Sequence, residues 1–257
     1  VVGDCATPTC QFDTFNTYGS GNAIWSNSWY DEANSTNGIN SPEQSASGTC
    51  FWDHSSSLGE LYAYWGVSGG ATSPDFLTGY SNRTSLEMEI VDVGSVTDLV
   101  SLNIHPRGVI SGLDRQFISF ETGYQNSSSH RKRVKWSDVD NTLHQTTTTF
   151  SAASSTSFYQ HTYTIELYDY VQQTGSDSVS RATWQWKVKE DGIAIFESHD
   201  GTNQIESRFA SAAPAGYTGT TWCDTPMVRI AHSGFGFFSN DMEFDNLKLS
   251  VNGDTSC

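Results

Sequence analysis

From Arg83 onward the chain alternates between polar and apolar side chains, and that alternation leaves few folds open to it. In 83–90 the odd positions are Arg83, Ser85, Glu87 and Glu89, and the even ones are Thr84, Leu86, Met88 and Ile90. Ser101, Asn103 and His105 then alternate with Leu102, Ile104 and Pro106. Ser119 and Glu121 alternate with Ile118 and Phe120, and Arg133, Lys135 and Ser137 with Val134 and Trp136. A period of two places polar groups on one face of a strand and apolar groups on the other. Four such segments separated by turns predict an antiparallel meander with one wet face and one core face. The turns also predict register, because a slip of one residue would bury the charges. Ser85 is expected opposite His105, Glu87 opposite Asn103, Asn103 opposite Ser119, and Glu121 beside Lys135. Arg83, Glu87, Asn103, His105, Glu121, Arg133 and Lys135 would then share one trough.

Further strands are expected at 159–167, 183–189, 193–197, 227–238 and 242–251, with Glu190-Asp191-Gly192 as a turn. No stretch shows a helical period. About a dozen such strands pack as an all-β, two-sheet sandwich of jelly-roll type. No internal repeat or long linker interrupts the chain, so residues 1–257 are expected to form a single domain. Trp184 and Trp186 alternate with Gln185 and Lys187 and are expected in the core rather than against a sugar.

Charge is distributed unevenly along this pattern. The first Lys or Arg is Arg83, and seven of the 13 basic residues lie from there to Lys135, in a chain of net charge -16. Such acidity repels nucleic acid. Apolar runs are too short to span a bilayer. Hydrophobic residues are 36% and charged residues 16%, alongside abundant Ser, Thr, Asn, Gly and aromatics. With the processed-looking start at Val1, that profile predicts a secreted protein, and a monomer is expected. A positive stripe on an acidic body is what a groove for an anionic chain requires, so a uronic-acid polysaccharide is the expected partner. Within the stripe, Arg131 and Lys132 read as a solvated loop cluster. The five cysteines, Cys5, Cys10, Cys50, Cys223 and Cys257, lack zinc-site spacing and allow two disulfides with one thiol over. Cys5–Cys10 with Cys50–Cys223 is one of the connectivities that sequence leaves open.

Three later segments are similar to a known family. They are His161-Thr162-Tyr163-Thr164-Ile165-Glu166, Trp186-Lys187-Val188 with Asp191-Gly192, and Phe244-Asp245-Asn246-Leu247. Together they resemble the concanavalin-like jelly roll of laminarinase-type glycoside hydrolases and jelly-roll polysaccharide lyases. Arg83-Thr84-Ser85-Leu86-Glu87 and Asn103-Ile104-His105 are similar to the Arg-Thr-Glu-Leu and Gln-Ile-His strands of alginate lyases, with Ser85 and Asn103 departing from the pattern. An ulvan or glucuronan lyase of the same fold is an equal match.

The lyase resemblance implies β-elimination at a uronate. Arg83 and Asn103 would neutralise the sugar carboxylate, stabilising the charge that develops when the C5 proton leaves. His105 or Lys135 would take that proton, and Tyr217, with Tyr124 as the other candidate, would protonate the leaving oxygen. Arg133, Glu87 and Glu121 would line the groove. Asp245, with Asp13, resembles a structural calcium site on the convex side of the fold, although Asp245 also reads as a turn residue. The rival is a glycoside hydrolase: Glu87, Glu89 and Asp92 resemble the Glu-x-Asp-x-x-Glu strand of laminarinases with the last two acid types exchanged. A non-catalytic carbohydrate-binding domain is the third reading.

Overall fold

The structure, a computed structural model, describes sixteen strands together with residues 14, 16, 138, 140, 142, 160, 175–178, 191, 192 and 198. In chain order the strands are β1 (Thr9–Asp13), β2 (Trp29–Asp31), β3 (Glu43–Gln44), β4 (Cys50–His54), β5 (Leu61–Gly66), β6 (Thr84–Val93), β7 (Asp98–His105) and β8 (Ile118–Asn126). They continue with β9 (Ser129–Ser137), β10 (Leu143–Ser151), β11 (His161–Thr174), β12 (Ser180–Glu190), β13 (Ile193–Glu197), β14 (Phe209–Ser211), β15 (Met227–Gly234) and β16 (Asn240–Val251). The expected all-β, two-sheet sandwich of jelly-roll type is what they form. The first sheet runs β13-β12-β11-β6-β16-β4-β3, with β1 also on β16 and β14 on β12. The second runs β10-β9-β8-β7-β15-β5-β2. No described helix is long and apolar enough to cross a membrane.

The even positions of β6, β8 and β9 and the odd positions of β11 close the core, as their alternation dictates. Leu86, Met88, Ile90, Ile118, Phe120, Val134, Tyr163, Ile165 and Leu167 are all buried. The inner faces meet through Phe120 and Tyr163, whose ring centroids lie 4.8 Å apart, and through Trp136 and Trp186 at 4.9 Å. Trp184 and Trp186 are buried, as the alternation of β12 requires.

One expectation of register fails, and it is the one that matters. β6 does not pair with β7. It lies between β11 and β16 in the first sheet, whereas β7 lies between β8 and β15 in the second. Ser85 faces Glu166 and Ser250 rather than His105, and Glu87 faces Thr164 and Lys248 rather than Asn103. The reason is physical. Strands of either sheet turn one apolar face to the same shared core, so period two reveals which side of a strand is wet but not which sheet holds it. The meander itself exists one strand later, as β7-β8-β9-β10. There Asn103 does stand opposite Ser119. Its last member, β10, has no apolar alternation in Thr146–Thr149 and escapes a pattern search. It forms the edge of the sheet, with Gln145, Thr147 and Thr149 exposed.

Candidate functional site

The outer face of the second sheet holds a carboxylate ringed by cations. Glu121 on β8 stands directly opposite Arg133 on β9, and both point away from the core that Phe120 and Val134 fill. Arg133 donates to Glu121 Oε2 through Nε at 2.8 Å and also through Nη2. Arg131 Nη2 donates to the same oxygen at 3.1 Å, and Lys135 Nζ lies 2.5 Å from Oε1. The Glu121 side chain is only 8% exposed. Its burial pushes the carboxyl pKa up, but Lys135 and Arg133 outweigh that and hold it below the usual carboxylate value. Ser101 and Ser119 share a hydrogen bond of 3.1 Å beside it. Arg131 was expected in a loop. It is instead the third cation of this cluster, on β9 opposite Gly123, where no side chain intervenes.

The outer face of the first sheet holds carboxylates of a different kind. Glu87 accepts a hydrogen bond from Thr164 Oγ1 at 3.3 Å, and Glu89 accepts one from Asn246 Nδ2 at 2.8 Å. Neither forms an ion pair with a described residue, although Lys248 stands opposite Glu87 in the β6–β16 register. Two irregularities shape this row. Val91 is an extra residue on β6, so Asp92 rather than Val91 stands opposite Glu243. Between Asp245 and Lys248 the extra residue is on β16, where Asn246 adopts φ 52°. A bulge of this kind re-aims side chains next to it. It brings backbone positions 87, 89 and 92 to one face of β6. Neither Asn246 nor Thr164 was picked out from sequence, because each comes from a strand distant in the chain. Two cations of this face are drawn elsewhere: Lys189 Nζ bonds Glu166 Oε1 at 2.5 Å, and Lys187 Nζ lies 3.1 Å from Glu197.

At one end of the sandwich a polar group ties the sheets together. Lys132, on the inner side of β9, bonds Glu190 Oε2 at 2.5 Å and lies 5.5 Å from the centre of the Phe150 ring. The expected turn after Glu190 is present, with Asp191 at φ 50° and Gly192 at φ 81°. Only glycine adopts the latter without strain. Asp191 accepts from the Thr162 amide at 3.0 Å and lies 2.6 Å from His161 Nδ1, so the turn is latched to the start of β11. Burial first, and then Glu190 beside it, raise the Tyr163 hydroxyl well above the ordinary tyrosine range. Lys132 is thus an inter-sheet tie rather than a solvated loop residue.

The remaining expected site residues fall as follows. His105 lies at the end of β7 with its backbone opposite Met227, and the Asn103 backbone is opposite both Ser119 and Arg229. The Tyr124 backbone faces His130. Arg83 and Tyr217 lie outside the described residues, as do Cys5, Cys223 and Cys257. The Asp13 backbone pairs with Leu247, two positions along β16 from Asp245. Among the described residues no three His, Cys, Asp or Glu side chains gather to hold a metal ion. Asp245 is also the cross-strand partner of Glu89 and shares its face, whereas Asp13 stands opposite the buried Leu247.

No family model and no curated protein matches the chain. Among solved structures it is similar to the catalytic domain of an endo-1,3-beta-glucanase (laminarinase) from Thermotoga petrophila RKU-1, at 9% identity and TM-score 0.49. That likeness covers 96% of this chain and 100% of the other. It is similar to a laminarinase from Flavobacterium sp. UMI-01, at 11% identity and TM-score 0.48 over 94% and 99% of the chains. It is also similar to the Emp47p carbohydrate recognition domain, at 8% identity and TM-score 0.41 over 94% of each.

The placement of β6 and β7 in different sheets corrects the expected polysaccharide lyase. Its trough needed β6 beside β7, but Glu87 lies on the outer face of one sheet and Glu121, Arg133 and Lys135 on the outer face of the other. Lys135, one of the two expected bases, is engaged by Glu121, and the other, His105, lies on β7 in the second sheet, apart from β6.

Proposed function

We propose that this chain degrades a polysaccharide by hydrolysis, with the carboxylate row of β6 as the reacting group. The observation that carries this reading is that Glu87 and Glu89 share one outward face and are each held by a neutral donor. Two positions along a strand span roughly 6.6 Å. Glycosidic cleavage uses two carboxyl groups about 5–10 Å apart, one as proton donor and one as nucleophile or base. Asp92 is the third carboxylate of the row by backbone position. Glu121 is unsuited to donate a proton, because its cations keep it ionised. The composition supports an extracellular site of action, and no step here uses a metal.

The test is incubation with neutral β-glucans and with uronate polymers, following reducing ends and absorbance near about 235 nm. Reducing ends without absorbance, lost in Glu87→Gln and Glu89→Gln, are the expected result. Full turnover in both variants would overturn the assignment of β6. A second reading, a non-catalytic binding domain, is favoured by one observation: among the described residues, the second sheet's outer face carries bonding groups but only a locked carboxylate. Retention on polysaccharide gels without reducing ends would establish it.

A further inference from the structure

The Glu121 cluster is over-supplied with positive charge, and the surplus is directional. One carboxylate faces three cations, all on the same side of β9. Each is largely covered, with Arg131 at 18%, Arg133 at 16% and Lys135 at 26% side-chain exposure. No other acid shares this patch among the described residues. Its neighbours in register are Ser119, Gly123, Gln145, Thr147 and Thr149, which include hydroxyls and an amide but no charge. Arg131 Nε is buried with no hydrogen-bond partner, and the guanidinium groups retain donors that Glu121 does not use. Three cations held this close repel one another, and burial first and then Arg133 hold the Arg131 guanidinium below its ordinary value. A second anion relieves that repulsion. Guanidinium groups are suited to it because their fixed donors match the paired oxygens of a carboxylate or sulfate.

We propose that Arg131, Arg133 and Lys135 form a binding site for an oxyanion carried by a polysaccharide, a sulfate ester or a uronate carboxylate. Glu121 holds the three cations in place and sets the surplus. The site lies on the face opposite the β6 carboxylates, so it is an accessory contact that holds a charged chain rather than a place where the chain is cut. It rests on the polysaccharide reading above but not on which carboxylates react. The body's net charge of -16 opposes polyanions at a distance, and physiological salt confines that opposition to about 8 Å while contact pairs persist.

The experiment is affinity electrophoresis in gels containing dextran sulfate, alginate or neutral laminarin, at about 0.15 M salt. One or both anionic gels are expected to retard the wild type, and which one does so separates sulfate from carboxylate. Lys135→Gln and Arg133→Gln should each weaken that retardation about fivefold. Glu121→Gln, which removes the compensating charge, should strengthen it. Thermal melts establish that each variant is folded. Lys135→Gln carries the test if Arg133→Gln does not fold, since Lys135 makes a single contact. Absence of retardation in both anionic gels, or retardation unchanged in Lys135→Gln, would overturn the proposal. Glu87→Gln should stay retarded while losing hydrolysis, so failure of the anion site and failure of the β6 assignment read out separately.

Discussion

On the outer face of the second sheet, one carboxylate is shared by three cations. On the outer face of the first, Glu87 and Glu89 rest on Thr164 and Asn246, while Lys187 and Lys189 are taken up by Glu197 and Glu166. Both faces come from strands of the same alternation, packed on the same core. The chemistry open to a carboxylate on such a sheet is decided by its cross-strand neighbours, not by its strand. A cation opposite fixes it as an anion and makes the pair a structural or binding element. A hydroxyl or amide partner orients it without supplying a compensating charge. The acid-rich face is suited to proton transfer, and the cation-rich one to holding charge.

The contrast can be broken most sharply by activity. Glu87→Gln or Glu89→Gln should lower hydrolysis by about 10²–10⁴-fold, the range expected for loss of an acid–base group. Rates on a neutral glucan, with circular dichroism as a control for folding, check this. Next in size is stability. Arg133→Ala should cost about 2 kcal/mol in urea unfolding, because it strips a buried carboxylate of its closest partner. Lys189→Gln on the other face should cost less than about 1 kcal/mol, its pair with Glu166 being more exposed. Equal costs would erase the distinction between the faces.

A smaller effect separates them by pH. Glu121 has a folded pKa below its ordinary value of 4.5. The unfolded chain therefore binds its proton first as pH falls. The stability that Glu121 contributes is complete above about pH 4.5 and is lost as pH drops through the lower folded value. Melting temperatures between about pH 6 and 3 should fall less steeply in Glu121→Gln than in the wild type; parallel curves would contradict the clamp. Least costly is Asp191→Ala, which frees the β12–β13 turn from Thr162 and His161. The residue is mostly exposed, so the expected loss is under about 1 kcal/mol, best seen as faster amide exchange at Thr162.

What could be read from the sequence follows the distance between partners. Asn103 opposite Ser119 and Glu121 beside Lys135 were legible because β7, β8 and β9 are joined in succession and their turns set the count. The position of β6 was not, since its partners β11 and β16 arrive far later. Arg131 was lost inside an Arg-Lys-Arg run whose members in fact alternate, Arg131 and Arg133 outward and Lys132 inward to Glu190. The bulge at Asn246 breaks the period of β16 where the Glu89 contact forms, and positive φ at an Asn is not announced by its neighbours. On the first sheet's face, the acids were visible and the groups that orient them were not.

β16 borders three other strands, with β6 along one side and β1 and β4 end to end along the other. The contact between Asn246 and Glu89 spans 157 positions. A ribosome therefore delivers the hairpins β7 to β10 ready to zip, while β6 waits with one edge bare until β16 emerges. Long-range pairings of this kind form slowly and leave sticky strand edges open in the meantime. A chain cut before residue 240 would lose the seam joining β6 to β1 and β4, and aggregation rather than partial activity is the outcome to look for.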